Sequence, residues 1–314
     1  MKSYFFSFLK ILIFSFLIGY IFHDLDVDKL AAFNIEYDFL FYSIFVLLLS
    51  LSAIALRWKV MLPTLGYKSA VESTFVRTSL NNILPVKIGE IGKIIYLKKK
   101  YKVKVSSTLS LLVIDRLMDI ICLMITFSVG AFIFNFQDIE MSFIFVFLSL
   151  ILIIIFLIFL FIKNSLRLIN KFRKNKKMTN FIIGSVKIFK SLSMKQISAT
   201  FFISCIIWFL YILFLYLVLY SAGIDLQLRE LLLLFIAITV ASAIPLLPSG
   251  IGVLEASFIF ILMKFGFTKE FSLVLAIYFN VIRAIIPTII GLYYVFSNEM
   301  RVSELFTYKK KQKR

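Results

Sequence analysis

Five charged residues stand inside otherwise apolar stretches: Asp115, Arg116 and Asp119 in "IDRLMD", Glu255 in "GIGVLEAS", and Arg283 in "NVIRAIIP". A charge at the centre of a membrane helix costs roughly 2.5 to 3.5 kcal/mol, so it persists where it is paired, hydrated or used. A guanidinium is the side chain best shaped to grip a phosphate through paired hydrogen bonds, which makes Arg283 and Arg116 candidates to hold an oxyanion. Asn280 lies one turn before Arg283, and Pro287 withholds the helical donor that the Arg283 carbonyl would otherwise receive. That local opening favours Arg283 over Arg116. Asp119 follows Asp115 by four positions and Arg116 by three, so all three can share one helix face. Such a trio would serve equally well as a structural staple.

The other candidates gather where proline and glycine interrupt apolar runs, in "NNILPVKIGEIG" around Pro85 and "IPLLPSGIGVLE" around Pro248. In each, a glycine follows the proline by four positions (Gly89, Gly252), and a glutamate comes soon after (Glu90, Glu255). Such breaks expose backbone N–H and C=O groups that hydrocarbon cannot satisfy, at several kcal/mol each, so they belong inside protein or beside a wet cavity. A helix that restarts after a break presents free N–H groups and the positive end of its dipole, a natural anion site. Ser249 is the expected N-cap of the second restart, with Gly250 and Gly252 beside it. At the first, Lys87 and Lys93 add positive charge and Asn82 a donor, while Glu90, Glu255, Asp115 and Asp119 would position the cations or couple transport to protons. The small residues Ala237, Ala241, Ser242 and Ala243 also suit a plain packed loop.

Catalytic chemistry is poorly provided for. His23, the single histidine, stands in an acidic segment beside "DLD" and reads as an interfacial residue; without a nucleotide-sugar domain that acidic pair does not make a sugar transferase. No G-x-S-x-G, zinc-ligand cluster, P-loop or dinucleotide fingerprint is present. The expectation is a protein that is not an enzyme and takes no cofactor or metal. Without an ATP site, transport would run downhill or on an ion gradient or membrane potential. Cys122 and Cys205 lie in apolar stretches and read as packing residues.

Of the 314 residues, 61% are hydrophobic, with 37 phenylalanines, more than a soluble core of this size needs. Several runs reach the roughly 20 residues that cross a bilayer as a helix. Full spans are expected near 4–22, 38–56, 108–134, 141–162, 197–221 and 270–296. Shorter, broken hairpins are expected at 69–97 and 229–266, entering from opposite sides. The first run, with Lys10 inside it and no small-residue cleavage site after it, is expected to be retained. The net charge of +18 comes mostly from Lys and Arg in 57–107, in the basic loop 163–196 and in the tail 297–314. That is the positive-inside pattern, with both termini cytoplasmic, and it needs no nucleic acid to explain it. The loop and tail could also attract anionic headgroups.

Span, hairpin and span follow one another twice, over 38–134 and 197–296, the first starting outside and the second inside. This inverted repeat is an arrangement in which transporters place broken helices and substrate sites near the midplane. The expected fold is an all-α polytopic membrane protein, a single transmembrane domain over 1–314 with about six spans and two re-entrant hairpins, eight helical units in all.

Together, "NNILPVKIGEIGKIIYL", "DRLMD", "PLLPSGIGVLEA" and "NVIRAIIPTIIG" resemble the transmembrane, flippase-like domain of the lysylphosphatidylglycerol synthase (multiple peptide resistance factor) family, over roughly 5–298. The resemblance implies movement of a phospholipid or polyprenyl-linked lipid between leaflets. Family members often carry Arg where this chain has Lys87 and Lys93, and Glu where it has Asp115, so the charge signs match while a paired phosphate grip at the first hairpin is weakened. The cytoplasmic synthase domain of larger members is not matched, so aminoacyl transfer is not carried over. The expected partners are membrane lipids. A separate lipid synthase or glycosyltransferase, and self-association, are left open. The same charges would suit a secondary transporter of a small anion, and a regulator of a lipid-modifying synthase is a further alternative.

Overall fold

The computed structural model describes residues 34–84, 87–133, 183, 191–243 and 251–298. The expected spans 4–22 and 141–162, the tail from 299 and most of the basic loop lie outside these residues. So do Pro85, Pro248, Ser249 and Gly250.

All regular structure among the described residues is helical: α1 (Tyr37–Met61), α2 (Tyr67–Ile83), α3 (Gly89–Tyr101), α4 (Val105–Ile133), α5 (Met194–Ser221), α6 (Leu228–Ala243), α7 (Val253–Lys264) and α8 (Lys269–Ser297). Their lengths run 25, 17, 13 and 29 residues, then 28, 16, 12 and 29. A long, short, short, long order thus occurs twice. Three described helices, α1, α5 and α8, are long and apolar enough to cross a membrane.

The sequence accounts for most boundaries. Pro63 disfavours helix at the residue before it, and α1 stops at Met61. That is five residues beyond the expected end at 56, so Arg57 and Lys59, read as loop residues, are helical. At the start of α5, Ser193 and Gln196 cap each other: the Gln196 amide donates to Ser193 Oγ at 3.2 Å, and the Ser193 amide to Gln196 Oε1 at 3.0 Å. Gly223, at φ 76°, closes the far end. The Thr268 side chain caps α8 by accepting from the Phe271 amide.

The chain forms two compact units. Unit 1 comprises residues to 51, 74–92 and from 209 onward; unit 2 comprises 52–73 and 93–208. In unit 1, α7 packs against both α6 and α8. Phe279 of α8 anchors this side, with ring centroids 5.5 Å from Phe214 of α5 and 5.4 Å from Phe258 of α7. Gly291 is a contact point: a Cβ there would overlap the Phe75 carbonyl and the Ser79 side chain of α2. In unit 2 the core includes Trp58, Tyr96, Leu97 and Leu111. Glu72 of α2 accepts from Tyr96 at 2.8 Å, from Lys100 at 2.7 Å and from Tyr101, which clasps α2 to the end of α3.

Candidate functional site

Unit 1 collects eight of the sequence-derived candidates: Asn82, Lys87, Gly89, Glu90, Gly252, Glu255, Asn280 and Arg283. Both breaks turn on a left-handed residue just before the restart, Lys87 at φ 50° and Gly252 at φ 85°. Glycine adopts this conformation freely, whereas lysine does so at a cost of about 1 kcal/mol or more.

Each restarted helix gives one of its leading N–H groups to a side chain of the protein itself. The N-cap of α7 is Gly252, three residues beyond the expected Ser249, and its amide donates to Glu255 Oε2 at 2.6 Å. Glu255 is buried, and its carboxylate is the anion that meets the positive end of α7. The Gly89 amide donates to Asn81 Oδ1 at 2.8 Å. A side chain at Gly89 would collide with the Arg77 carbonyl and Asn81, so only glycine lets α3 begin this close to α2. Glu90 faces Arg77 across 3.9 Å.

One stretch of α8 is tied both to the second restart and to the end of α2, just ahead of the first break. Asn280 donates to Glu255 Oε1 at 3.2 Å, and Arg283 Nη2 donates to Asn280 Oδ1 at 2.9 Å. A carboxylate at one end of this chain and a guanidinium at the other are joined through a neutral amide. From the first hairpin, Asn82 Nδ2 donates to Thr288 Oγ1 at 2.9 Å and to the Ala284 carbonyl at 3.4 Å. These two partners bracket Pro287, the position that breaks the α8 hydrogen-bond ladder. Arg283, half-buried, lies one residue from Ala284. Unit 1 therefore holds an arginine at a weakened helix turn, fed by polar residues from the ends of both hairpins.

Lys93, Asp115, Arg116 and Asp119 belong to unit 2. Lys93 is fully buried with Nζ 3.4 Å from the centroid of the Trp58 ring, a cation–π contact. Asp115 is also fully buried, whereas the Arg116 side chain is 47% exposed. Adjacent helical residues project about 100° apart, so the expected single face carrying all three charges divides. Asp119 faces both ways: Oδ1 takes Arg57 Nη1 at 2.8 Å, and Oδ2 takes Arg116 Nη1 at 3.2 Å.

Arg57 was missed because it had been counted as a loop residue. Its side chain is 2% exposed; Nη2 pairs with Asp115 at 2.7 Å, and Nη1 also donates to Ser204 Oγ at 2.9 Å. The signal lay in the paired carboxylates of α4, which require a cation on their own side of the helix. Asn81, Arg77 and Thr288 were missed as well, since their roles arise only from helix pairing. Among the described residues, no group of three or more His, Cys, Asp or Glu could hold a metal ion.

Residues 7–291 match the family model described as the lysylphosphatidylglycerol synthase TM region. A UPF0104 membrane protein of Methanocaldococcus jannaschii is 26% identical over 187 residues, 58% of this chain and 78% of that protein. No solved structure matches. The chain is a membrane protein and belongs to the lysylphosphatidylglycerol synthase transmembrane-region family.

Proposed function

We propose that this protein moves an anionic phospholipid, or a lipid carried on polyprenyl phosphate, between the leaflets of a bacterial or archaeal inner membrane. The two helix quartets form an inverted repeat, with α2–α3 and α6–α7 as re-entrant hairpins and both termini cytoplasmic. The headgroup phosphate engages Arg283, and the acyl tails remain in the bilayer.

The observation that carries this reading is the tethering of the second restart and of the end of α2, one from each hairpin, to residues 280–288 of α8, around Arg283 and Pro287. Asn280 bridges the Arg283 guanidinium to the Glu255 carboxylate and so positions it at the Pro287 turn, where a phosphate can replace the amide contact. Glu255 acts through Asn280, and Asn82 steadies the kinked turn. Lys87, beside the first restart, adds positive charge.

The test is reconstitution into liposomes carrying headgroup-labelled phosphatidylglycerol, with leaflet exchange followed for wild type, Arg283→Ala and Glu255→Gln. Arg283→Ala is expected to slow exchange about tenfold or more, equivalent to at least about 1.4 kcal/mol in the barrier. Exchange at the wild-type rate in both variants would end this assignment. Glycerol phosphate as a competitor distinguishes transport of a small anion from transport of a whole lipid.

A further inference from the structure

We propose that Arg57 and Arg116 of unit 2 form a second seat for a phosphate oxyanion, with Asp119 its resident occupant. The seat is separate from the Arg283 site and stands whether or not Arg283 grips a headgroup.

The geometry separates a fixed pair from an exchangeable one. Arg57 and Asp115 meet at 2.7 Å with side chains 2% and 0% exposed, and they compensate each other away from lipid and water. Asp119 is 25% exposed and spans from Arg57 to Arg116, itself 47% exposed. One carboxylate thus takes a separate hydrogen bond on each oxygen from two guanidinium groups, one buried and one open. A tetrahedral phosphate presents the same pairs of acceptor oxygens to the same donors. Ser204, also bonded to Arg57 Nη1 at 2.9 Å, provides a hydroxyl at the same wall.

Charge bookkeeping points the same way. Asp119 sets one negative charge against both guanidinium groups, and when it swings out the open side becomes more positive by one unit. A phosphate diester carries one negative charge and replaces the one withdrawn. Asp119 therefore acts as a built-in competitor, and removing its charge should increase ligand binding rather than abolish it. A purely structural ion pair predicts the reverse, since loss of one partner only weakens the cluster.

The protein reports on this seat itself. Its two tryptophans, Trp58 and Trp208, are buried in unit 2; Trp58 follows Arg57 in sequence, and Trp208 lies one turn beyond Ser204. Full-length protein in detergent would be titrated with dihexanoyl phosphatidylglycerol, and separately with inorganic phosphate, following tryptophan emission. Asp119→Asn is expected to tighten the apparent Kd roughly tenfold, and Arg116→Gln to weaken it at least roughly fivefold. Tightening for the lipid alone assigns the seat to a headgroup; tightening for both ligands assigns it to the phosphate group, and either supports the proposal. If folded Asp119→Asn binds no better than wild type, the seat does not exist. If that variant fails to fold, Arg116→Gln decides alone: Arg116 is exposed, and unchanged affinity there overturns the proposal.

Discussion

The two units hold arginines in opposite ways. In unit 1, the Asn280 amide bridges Arg283 to Glu255, at the turn where Pro287 interrupts the helix. In unit 2, Arg57 meets Asp115 and Asp119 directly, on an uninterrupted stretch of α1. The first arrangement sets a charge through a neutral amide; the second clamps it between two carboxylates. Placement of a charge in an apolar segment therefore does not separate the two roles. The separating feature is what stands between the charge and its counter-ion.

The contrast is broken most directly at Arg57. Arg57→Leu leaves the fully buried Asp115 without its cation, and a broken buried pair costs about 3–5 kcal/mol. Thermal unfolding in detergent should show a large loss, whereas Arg283→Ala should leave the melting temperature close to wild type; similar losses in both would erase the distinction. Next in size is Gly291→Ala, which forces a methyl group into the Phe75 carbonyl and should cost about 1–3 kcal/mol while slowing lipid exchange. Unchanged stability there would mean that α2 and α8 are not in close contact.

Glu255→Gln keeps the shape of the side chain while removing the charge at the start of α7. A loss of about 1 kcal/mol in stability is expected from the weakened cap, accompanied by slower exchange as Asn280 loses its anchor. A change in stability with no change in exchange would reduce Glu255 to a cap. The smallest effect belongs to Lys100, at the end of α3. Partial burial works to lower its pKa, but the hydrogen bond and charge of Glu72 outweigh it and hold the ammonium above the ordinary lysine value. A raised pKa in the folded state means a contribution fully present below pH 10.5 and lost as pH rises through the raised value. The pair is partly exposed, so its worth is at most about 1 kcal/mol. Melting curves of wild type and Lys100→Met should differ most below pH 10.5 and converge only once the pH has passed the raised value; a gap that persists beyond it would assign the effect to packing.

Much of this architecture was legible in the sequence because apolar length and Pro/Gly punctuation are local signals. The alternation of long and short helices, the break before Gly89 and the restart near Gly252 could all be read from them. The pairing of Asn280 with Arg283 was readable too, since one helical turn separates them. Arg57 escaped because a charge was taken to end the apolar run, whereas α1 continues until Pro63 stops it. Ser249 was expected to cap α7 because hydroxyl residues favour that position; Glu255, three residues into the restart, let a bare glycine take the cap instead. The link from Asn82 to Thr288 spans 206 positions, and no spacing rule reaches that far.

The link made by Asn82 carries a mechanical consequence. It grips α8 on both sides of Pro287, and Gly291 seats the next turn of α8 against α2. The proline creates a weak joint, and α2 lies along it as a splint. Bending at that joint therefore cannot remain local to α8: it must either carry the first hairpin with it or first unlatch one asparagine.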